Sequence, residues 1–350
     1  MKVMQLIDSL DSGGAERMAV TIANGLVPCI DSSYLCATRK EGLLHKTLDP
    51  KVGYLFLQRK KTLDLTAFKK LNRFVKKEKI TVIHAHGTSY FLAAWLKIRQ
   101  PKLIIIWHEH YGNRIYSKLH DFKTLYFCSH LFSKIITVNK ELQSWCEKNL
   151  KAKEVHYLRN FISMDEFLDA KKDSETNTIV CLANLRVPKN HHNLLEAFTR
   201  IRQQYPDWKL ILIGKDYEDV YSKALHTYIA EHDLESSVVF TGEIPSVATY
   251  LASAKIGVLA SDVEGLPMAL LEYGAAKLAV ISTDVGYTKE VMSTFGKTVP
   301  TKNPEALAEA LKGYILNTEK REKDAKAFHE HVKNKYTTGV VIKELIELYK

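Results

Sequence analysis

The chain has 350 residues, 46% of them hydrophobic, which is natural for two domains that each bury an ordinary core. No apolar run reaches the ~18–20 residues that a membrane-spanning helix needs, and Met1–Asp8 lacks a signal-peptide layout. Five scattered cysteines, without metal or redox spacing, predict a reducing cytoplasm.

The formal net charge is +10, and its positive part is concentrated in the first half. Residues 1–165 carry 27 Lys and Arg against 14 Asp and Glu, whereas the remainder carries 23 against 26. Such a basic half indicates an anionic partner, whether a membrane surface, an anionic acceptor or nucleic acid. Solubility alone is the other explanation.

Strands and helices alternate throughout the chain, which is typical of an α/β fold with parallel sheets. Strands are predicted in the first half at Lys2–Ile7, Ile80–Ala85, Lys102–Trp107, Lys134–Val138 and Glu154–Leu158, and helices at, for example, Ala15–Leu26 and Leu142–Asn149. The second half starts afresh with strands at Thr178–Ala183, Lys209–Ile213, Val238–Thr241, Ile256–Ala260 and Ala279–Thr283.

The polar, aperiodic stretch at residues 169–177 is the predicted linker between domains of residues 1–168 and 178–335. Residues 336–350 predict a last helix whose apolar side, including Val340, Val341 and Leu345, needs a surface to cover.

A basic amphipathic helix is predicted around residues 64–77, with Leu65, Phe68, Leu71 and Val75 on its apolar face. Its lysines lie mostly elsewhere, so the basic side suits contact with anionic lipid. The alternative is a crossover helix with its apolar face on a sheet and its lysines in water.

A glycine pair, Gly13 and Gly14, separates the first strand from the helix that follows. Glycines at such a point let the backbone approach a ligand phosphate or sugar. The pattern is not the dinucleotide fingerprint G-x-G-x-x-G, and a simple tight turn remains the alternative.

Four histidines stand at the ends of two predicted strands: His84 and His86, then His108 and His110. Ligands of open α/β sheets bind beyond the carboxyl ends of strands, so a polar pocket for an acceptor is expected there. Neither pair has a known metal spacing, and no metal site is predicted. For each histidine, a hydrogen-bonded structural role is an equal alternative.

A basic segment follows the first strand of the second half and opens a helix. Its Arg186 and Lys189 can reach a diphosphate, Arg as a planar fork and Lys as a point charge. Such cations stabilise the charge that grows on a departing nucleoside diphosphate. Exposure to solvent without function is the alternative.

The most informative pattern is the pair Glu264 and Glu272, which follows the predicted strand Ile256–Ala260. Between strand and helix stand Gly265, Leu266 and Pro267, and Pro267 suits the first position of a helix. One carboxylate therefore falls in the loop and the other in the second helical turn.

The free N–H groups of Met268, Ala269 and Leu270 lie between these carboxylates, at a helix end that favours an anion. Carboxylates are strong acceptors for sugar hydroxyls. An anion seat between two hydroxyl acceptors has the polarity of a nucleotide-sugar, with its ribose, diphosphate and hexose. Two surface acids around an ordinary helix are the simpler alternative.

These residues together resemble glycosyltransferase family 4, the retaining enzymes with the GT-B fold. The resemblance runs nearly end to end and is most specific in Glu264–Glu272, Ser282–Gly286 and Glu290. It implies two Rossmann-like parallel-sheet domains that face a central cleft, with residues 336–350 crossing back onto the N-terminal domain.

The resemblance also implies a donor site in the C-terminal domain for a nucleoside-diphosphate sugar. Glu272 would hold the ribose, and Glu264 would contact the transferred sugar. Lys189, with Arg186, would stabilise the departing β-phosphate, and the amides of Met268–Leu270 would bind the diphosphate. Gly242, Glu243 and Ile244 would border the base.

The N-terminal domain would bind a hydroxyl acceptor, with Gly13 and Gly14 at the cleft and His110, or alternatively His108, near the reacting carbon. No metal or other cofactor is expected. A lipid-linked or polysaccharide precursor is the expected acceptor, with the basic domain at the inner face of the membrane and no nucleic acid as partner.

Three positions depart from the family pattern: Asn184 stands in place of the usual arginine, Lys277 in place of a glycine, and Tyr287 in place of the second glycine of a pair. Two alternatives to a transferase are open, the second of them because of the departures at Lys277 and Tyr287. One is a nucleotide-sugar epimerase of the same architecture, and the other is a non-catalytic protein that binds nucleotide-sugars or membrane surfaces.

Overall fold

The computed structural model describes residues 1–168, 170 and 176–350, and the chain divides into two compact units. Unit 1 comprises Met1–Ser163 together with Thr338–Lys350, and unit 2 comprises Met164–Thr337. Most of the predicted linker, Asp169 and residues 171–175, lies outside the described residues.

Unit 1 is built on a seven-stranded parallel sheet with the order β3-β2-β1-β4-β5-β6-β7. Its strands are β1 (Lys2–Ser9), β2 (Ser32–Lys40), β3 (Gly53–Phe56), β4 (Val82–His86), β5 (Ile104–Glu109), β6 (Lys134–Thr137) and β7 (Glu154–Tyr157). Its first five helices are α1 (Gly14–Leu26), α2 (Leu65–Glu78), α3 (Tyr90–Arg99), α4 (Lys123–Ser129) and α5 (Lys140–Asn149). Short 3₁₀ turns occupy Leu43–Thr47, Gly87–Ser89, Gly112–Tyr116 and Leu119–Asp121.

Unit 2 has a six-stranded parallel sheet with the order β10-β9-β8-β11-β12-β13. Its strands are β8 (Thr178–Leu182), β9 (Lys209–Ile213), β10 (Val238–Gly242), β11 (Ile256–Leu259), β12 (Ala279–Thr283) and β13 (Lys297–Val299). Its helices are α6 (Asp165–Leu168), α7 (His191–Arg202), α8 (Val220–Glu231), α9 (Ala248–Ala252), α10 (Met268–Ala275), α11 (Thr288–Met292), α12 (Pro304–Leu316) and α13 (Thr318–Lys335).

The last helix, α14 (Thr338–Tyr349), belongs to unit 1 and packs on α1. It buries Val341, Ile342, Leu345 and Tyr349, whereas Val340, which the sequence places in the apolar set, is exposed. The predicted apolar side therefore covers a surface of unit 1.

Alternation along the strands decides which side chains lie beneath α1 and α14. In β1, Met4 and Leu6 join the apolar cluster that includes α2, whereas Ile7 joins the cluster with α1. Side chains two apart in a strand share a face. Gln5 therefore lies on the same face as Ile7, and it is fully buried there.

Both sheets reverse their strand order beside the first strand of the unit, between β1 and β4 and between β8 and β11. Ligands in open α/β sheets bind beyond the carboxyl ends of strands at such a reversal. In unit 2 this rule selects the loops that follow β8 and β11, which carry Lys189 and Glu264.

All ten strands predicted from the sequence are present, with ends shifted by up to two residues. The sequence missed β2, β3 and β13. Two of these have only four and three residues, too few for a periodic signal to emerge. In β2 the apolar run is short and flanked by polar residues.

The predicted basic helix is α2, and its apolar face packs on the sheet through Phe68, Leu71 and Val75. Leu65 was wrongly placed on that face, because it is the first residue of α2 and is 63% exposed. Among the described residues, no helix combines the length and the apolar character needed to cross a membrane.

Candidate functional site

The two loops selected by the strand reversal in unit 2 are joined by an ion pair. Lys189 Nζ lies 2.6 Å from Glu264 Oε1, and the Ser261 hydroxyl donates to the same oxygen at 2.6 Å. Both charged side chains are largely buried, with exposures of 22% for Lys189 and 10% for Glu264. Two residues 75 positions apart in sequence thus form one charged centre.

Two further hydrogen bonds fix the loops to each other. Asn190 Nδ2 donates to Asp262 Oδ1 at 2.8 Å, and the Asp262 amide donates to the Pro188 carbonyl at 2.8 Å. Asn190 also caps α7, because its side chain accepts from the Asn193 amide. Lys189 therefore stands on a rigid turn rather than on a free loop.

Helix α10 is oriented by the fully buried Tyr273. Its hydroxyl donates to the Val258 carbonyl at 3.0 Å and accepts from the Leu182 amide at 2.7 Å. A Cβ on Gly257 would lie 2.6 Å from this ring, so the strand residue beneath it has to be glycine. The contact fixes α10 against β8 and β11.

Pro267 was predicted as the first residue of α10, but the helix begins at Met268 with Pro267 as its N-cap, at φ −73° and ψ 122°. The helix begins one residue later than predicted, because the ψ angle of Pro267 is extended rather than helical. The first amides of α10, at Met268, Ala269 and Leu270, have no carbonyl partner within the helix. The predicted anion seat at these amides stays a prediction.

Glu272 is the fifth residue of α10 and lies in its second turn, as the sequence predicted. It is buried, with 4% exposure, and it makes interactions of its own. Glu264, in the loop before α10, and Glu272 therefore stand on either side of the first turn of α10.

The segment after β12 rests on the loop that carries Glu264. Gly286 has φ 50°, and a Cβ there would lie 2.2 Å from the Glu264 carbonyl oxygen. The Tyr287 amide donates to the Gly265 carbonyl at 3.1 Å, while Tyr287 itself has φ −94°. Only the first glycine of the family pair is sterically required, so Tyr287 is accommodated.

The other two departures also have visible consequences. Lys277 adopts φ 61°, a conformation that favours the glycine usual at this position. Asn184 accepts a hydrogen bond from the Lys215 amide at 2.9 Å and joins the loops that follow β8 and β9. At the position where the family usually has an arginine, this chain therefore has an amide side chain that joins two loops.

Arg186 is exposed, and its guanidinium makes no hydrogen bond or ion pair with any described residue. The structure does not bring it to the Lys189–Glu264 pair. Its carbonyl accepts from the Lys189 amide at 2.9 Å, so the two residues share one tight turn.

The segment predicted to border the base follows β10 at the sheet edge. Gly242 has φ 69°, and its carbonyl accepts from the Gly214 amide at 3.2 Å. A Cβ on Gly214 would lie 2.2 Å from the Ala183 carbonyl oxygen. Gly242 therefore lies at the same edge of the sheet as the loop after β8, and Glu243 and Ile244 come directly after it in the chain.

In unit 1 the register of β1, β4 and β5 brings the predicted histidines together. Gln5 pairs with His84, and His86 pairs with His108. His84, His86 and His108 lie inside the strands and are buried, whereas His110 follows β5 and is partly exposed.

These four histidines form two hydrogen-bonded pairs, which Tyr349 and Gln5 join into one network. His84 Nε2 lies 3.2 Å from His108 Nδ1, and His86 Nδ1 lies 2.9 Å from His110 Nε2. Burial lowers the pKa of His84 and of His110 to about 3, and it lowers the pKa values of His86 and His108 well below their ordinary range. All four rings are therefore neutral at physiological pH.

The ring nitrogens of His84, His86 and His108 come within 4.8 Å of one another, close enough for one metal ion. This trio is not apparent from the spacing of histidines along the chain, because it forms across strands. Five of its six ring nitrogens are already in hydrogen bonds, and only His108 Nε2 is buried without one among the described residues. Hydrogen bonding thus accounts for the arrangement, and the absence of a metal site stays a prediction.

The glycine loop of unit 1 is half-buried at Gly13 and exposed at Gly14. Gly13 is the N-cap of α1, and a Cβ there would lie 2.2 Å from Glu16 Oε2. Gly14 begins the helix. The same edge holds Asp8, which the sequence analysis did not single out and which pairs with the buried Arg59 at 3.0 Å.

Other contributors were also missed by sequence reasoning. Gln5 and Tyr349 bond to the histidines, and Tyr273 orients α10. Each looks like an ordinary core position in the sequence. The one available signal was Gln5, a polar residue inside an apolar strand.

Two parallel α/β units with these loops define the architecture of nucleotide-sugar-dependent glycosyltransferases. Residues 12–166 match the family described as Glycosyltransferase Family 4, and residues 164–331 match Glycosyl transferases group 1. The chain belongs to glycosyltransferase family 4, as its sequence motifs predicted.

Relatives and solved structures agree with this assignment. The chain is 26% identical, over 77% of each chain, to an uncharacterized glycosyltransferase of Haemophilus influenzae. It is 23% identical, over 93% of each, to the amylovoran biosynthesis glycosyltransferase AmsD of Erwinia amylovora. Anabaena HepE in complex with UDP and glucose matches 99% of each chain at 17% identity and a TM-score of 0.84, which confirms the GT-B fold.

The neutral histidines predict a loss of stability in acid. The pKa of His84 is below its unfolded value of about 6.5, so only the unfolded chain takes up its proton as the pH falls through that range. We expect His84→Gln to lose less stability between about pH 6 and 4, by ~1.4 kcal/mol per pH unit. Urea denaturation followed at several pH values measures this.

Phe127→Gln is the control, because Phe127 is 70% exposed in the same unit and has no titratable group. It should leave the pH dependence unchanged. Parallel pH profiles for wild type and His84→Gln would contradict the neutral, buried state of His84.

Proposed function

We propose that this glycosyltransferase moves a hexose from a UDP-sugar to a hydroxyl acceptor, with retention of configuration at the anomeric carbon. The observation that carries the proposal is the Lys189–Glu264 pair beside the first turn of α10, with Glu272 in the second turn. Uridine is favoured by the UDP bound to HepE, which has the same fold.

The donor would replace the internal ion pair. Lys189 and Glu264 are largely buried, and the cost of removing both charges from water offsets most of the attraction within such a pair, so a diphosphate can compete for the ammonium. Lys189 then moves to the phosphate, while Glu264 accepts a hydrogen bond from a sugar hydroxyl and keeps its bond to Ser261. The amides of Met268–Leu270 would bind the diphosphate, and Glu272 would bind the ribose.

The chemistry is a displacement on one face of the sugar. The bond between the anomeric carbon and the β-phosphate oxygen breaks as the acceptor oxygen bonds to the same face. The acceptor proton passes to the departing phosphate oxygen. Negative charge grows on the diphosphate during this step, and Lys189 stabilises it. Arg186, whose exposed side chain has no partner among the described residues, can add a second positive charge if that side chain rotates toward the diphosphate.

The acceptor would be held by unit 1, where His110 is neutral and can accept a hydrogen bond from a hydroxyl. Two relatives are named for biosynthesis: the amylovoran biosynthesis glycosyltransferase AmsD and the capsular polysaccharide biosynthesis glycosyltransferase CapH of Staphylococcus aureus, which is 23% identical over 84% of each chain. They support a polysaccharide precursor, free or lipid-linked, as acceptor.

Unit 1 also has a surface suited to anionic lipid. Its residues carry 29 Lys and Arg against 15 Asp and Glu. We define the basic patch as the exposed residues Lys60, Lys61, Leu63, Leu65, Lys69, Lys70, Arg73, Lys76 and Lys77. Its two leucines are 68% and 63% exposed beside lysines, the composition of a surface that lies on a membrane.

Lys189→Ala should reduce transfer by about 10²–10³-fold, because one charge-stabilising group is typically worth ~3–4 kcal/mol of the barrier. The fold should survive, since Ser261 still donates to Glu264. The measurement is initial transfer from labelled UDP-hexose to a membrane lipid extract. Lys209→Ala is the control, because Lys209 is an exposed lysine at the start of β9.

Near-normal transfer by folded Lys189→Ala would refute this role. Incubating the nucleotide-sugar without an acceptor tests the epimerase alternative, because an epimerase would convert the nucleotide-sugar in the absence of any acceptor.

The donor site predicts a thermal shift with uridine nucleotides. A ligand at 100 times its Kd stabilises the protein by ~2.7 kcal/mol. UDP-sugars should do so, and Gly286→Ala should abolish the shift because its Cβ displaces the Glu264 carbonyl. Gly339→Ala, which meets open space, is the control. A response to ADP- or GDP-sugars alone would contradict uridine.

The basic patch predicts binding to anionic vesicles. Co-sedimentation should be stronger with phosphatidylglycerol than with pure phosphatidylcholine, since each lysine near a charged surface contributes ~1 kcal/mol. Replacing Leu63 and Leu65 by Ser should weaken it, while Ile98→Ser, at another exposed apolar position of unit 1, should not. Equal binding to both kinds of vesicle would exclude this surface.

A further inference from the structure

The buried amide of Gln5 lies at the branch point of a hydrogen-bond network that reaches all four histidines. Its Oε1 accepts from His86 Nε2 at 2.9 Å, and its Nε2 donates to the Tyr349 hydroxyl at 3.3 Å. Gln5 is fully buried, so both contacts are made without competition from water. The donor and acceptor ends of one amide therefore set the direction of two chains of hydrogen bonds.

The first chain ends at His110. An amide oxygen can only accept, so His86 Nε2 must carry the proton. His86 is neutral, and its Nδ1 is therefore an acceptor. His110 Nε2, 2.9 Å from that nitrogen, must then be the donor. Since His110 is neutral as well, its Nδ1 keeps an unshared electron pair.

The second chain runs through Tyr349 to His108. The Tyr349 hydroxyl accepts from Gln5 and donates to His84 Nδ1 at 2.7 Å. His84 Nε2 then donates to His108 Nδ1 at 3.2 Å, which leaves the proton of His108 on Nε2. That nitrogen is buried without a partner among the described residues. Reversing the Gln5 amide would reverse every proton in both chains.

We propose that Gln5 and Tyr349 are positioning residues that hold His110 in its Nε2–H tautomer, so that His110 Nδ1 accepts a hydrogen bond from a substrate hydroxyl. His110 is partly exposed, and its Nδ1 bonds to no described residue. The site would accept a group that brings a proton and reject one that brings only acceptors, such as a carboxylate. The identity of the hydroxyl rests on the proposed function, whereas the tautomer does not.

This assignment gives the Tyr349 hydroxyl a chemical role. Tyr349 is the last residue of α14, and its ring is fully packed within unit 1. Packing alone would be served by phenylalanine. The hydroxyl is needed because it gives Gln5 Nε2 an acceptor and thereby keeps Gln5 Oε1 turned toward His86.

Nitrogen NMR of histidine-labelled protein near neutral pH tests the tautomer without any substrate. Wild-type His110 should appear as the Nε2–H form. Tyr349→Phe and Gln5→Met should each give a mixture at His110, because the amide is freed or removed. Tyr34→Phe is the matched control, since it removes another tyrosine hydroxyl from the same sheet, one bonded to Glu78 at 3.2 Å.

An Nδ1–H form of His110 in the wild type would mean that the amide is reversed, and it would overturn the proposal. An unchanged Nε2–H form in both Tyr349→Phe and Gln5→Met would overturn it equally. Tyr349→Phe keeps the buried ring and is expected to fold, so the result does not depend on Gln5→Met.

Kinetic measurements then test whether His110 Nδ1 accepts a hydrogen bond from the substrate hydroxyl during transfer. In Tyr349→Phe, kcat should fall at least about twofold with the donor KM unchanged, because an equal mixture of tautomers halves the competent population. An altered tautomer with unaltered kcat would overturn the role in catalysis. Absence of transfer in the wild type would instead contradict the proposed function and leave the NMR result standing.

Discussion

The salt bridge between Lys189 and Glu264 joins the loops that follow β8 and β11 in unit 2, and the arrangement of the candidate site depends on it. Two strands lie side by side at the reversal of the sheet, and the loops that leave them carry opposite charges. Tyr273 holds α10 against both strands, and Gly286 lets the next loop rest on Glu264. Each of these contacts limits how far the two charges can separate while the helix end stays in place. The pair therefore has a fixed geometry, and in the proposed function a diphosphate would exchange one anion for another.

Unit 1 differs from unit 2 in its electrostatics. Its candidate site is made of buried histidines that carry no charge, whereas unit 2 has a charged pair. The four imidazoles, which stack on one another at the ends of β4 and β5, would repel one another if protonated, and burial keeps them neutral. Neutral rings cannot attract an anion, but they can donate and accept hydrogen bonds in a fixed pattern. Part of the excess positive charge of this unit lies elsewhere, on the exposed side of α2.

The sequence predicted the alternating architecture and the paired glutamates because both depend on local patterns. Apolar runs mark buried strands, and the spacing of Glu264 and Glu272 is measured along one loop and one helix. The histidine network could not be predicted in the same way. It depends on the register of β1, β4 and β5 and on Tyr349, which is 265 positions from His84. Metal spacing along the chain was the wrong measure for residues that meet across strands.

The departures from the family pattern show which parts of the site are sterically fixed and which are free to vary. Gly286 has no space for a Cβ, whereas Tyr287 has an ordinary φ and tolerates a side chain. Asn184 joins two loops and contributes no charge, so in the proposed function Lys189 would stabilise more of the diphosphate charge than it would beside an arginine. Such a site would depend more steeply on Lys189, and on Arg186 moving toward the diphosphate, than one that has both cations in place from the start.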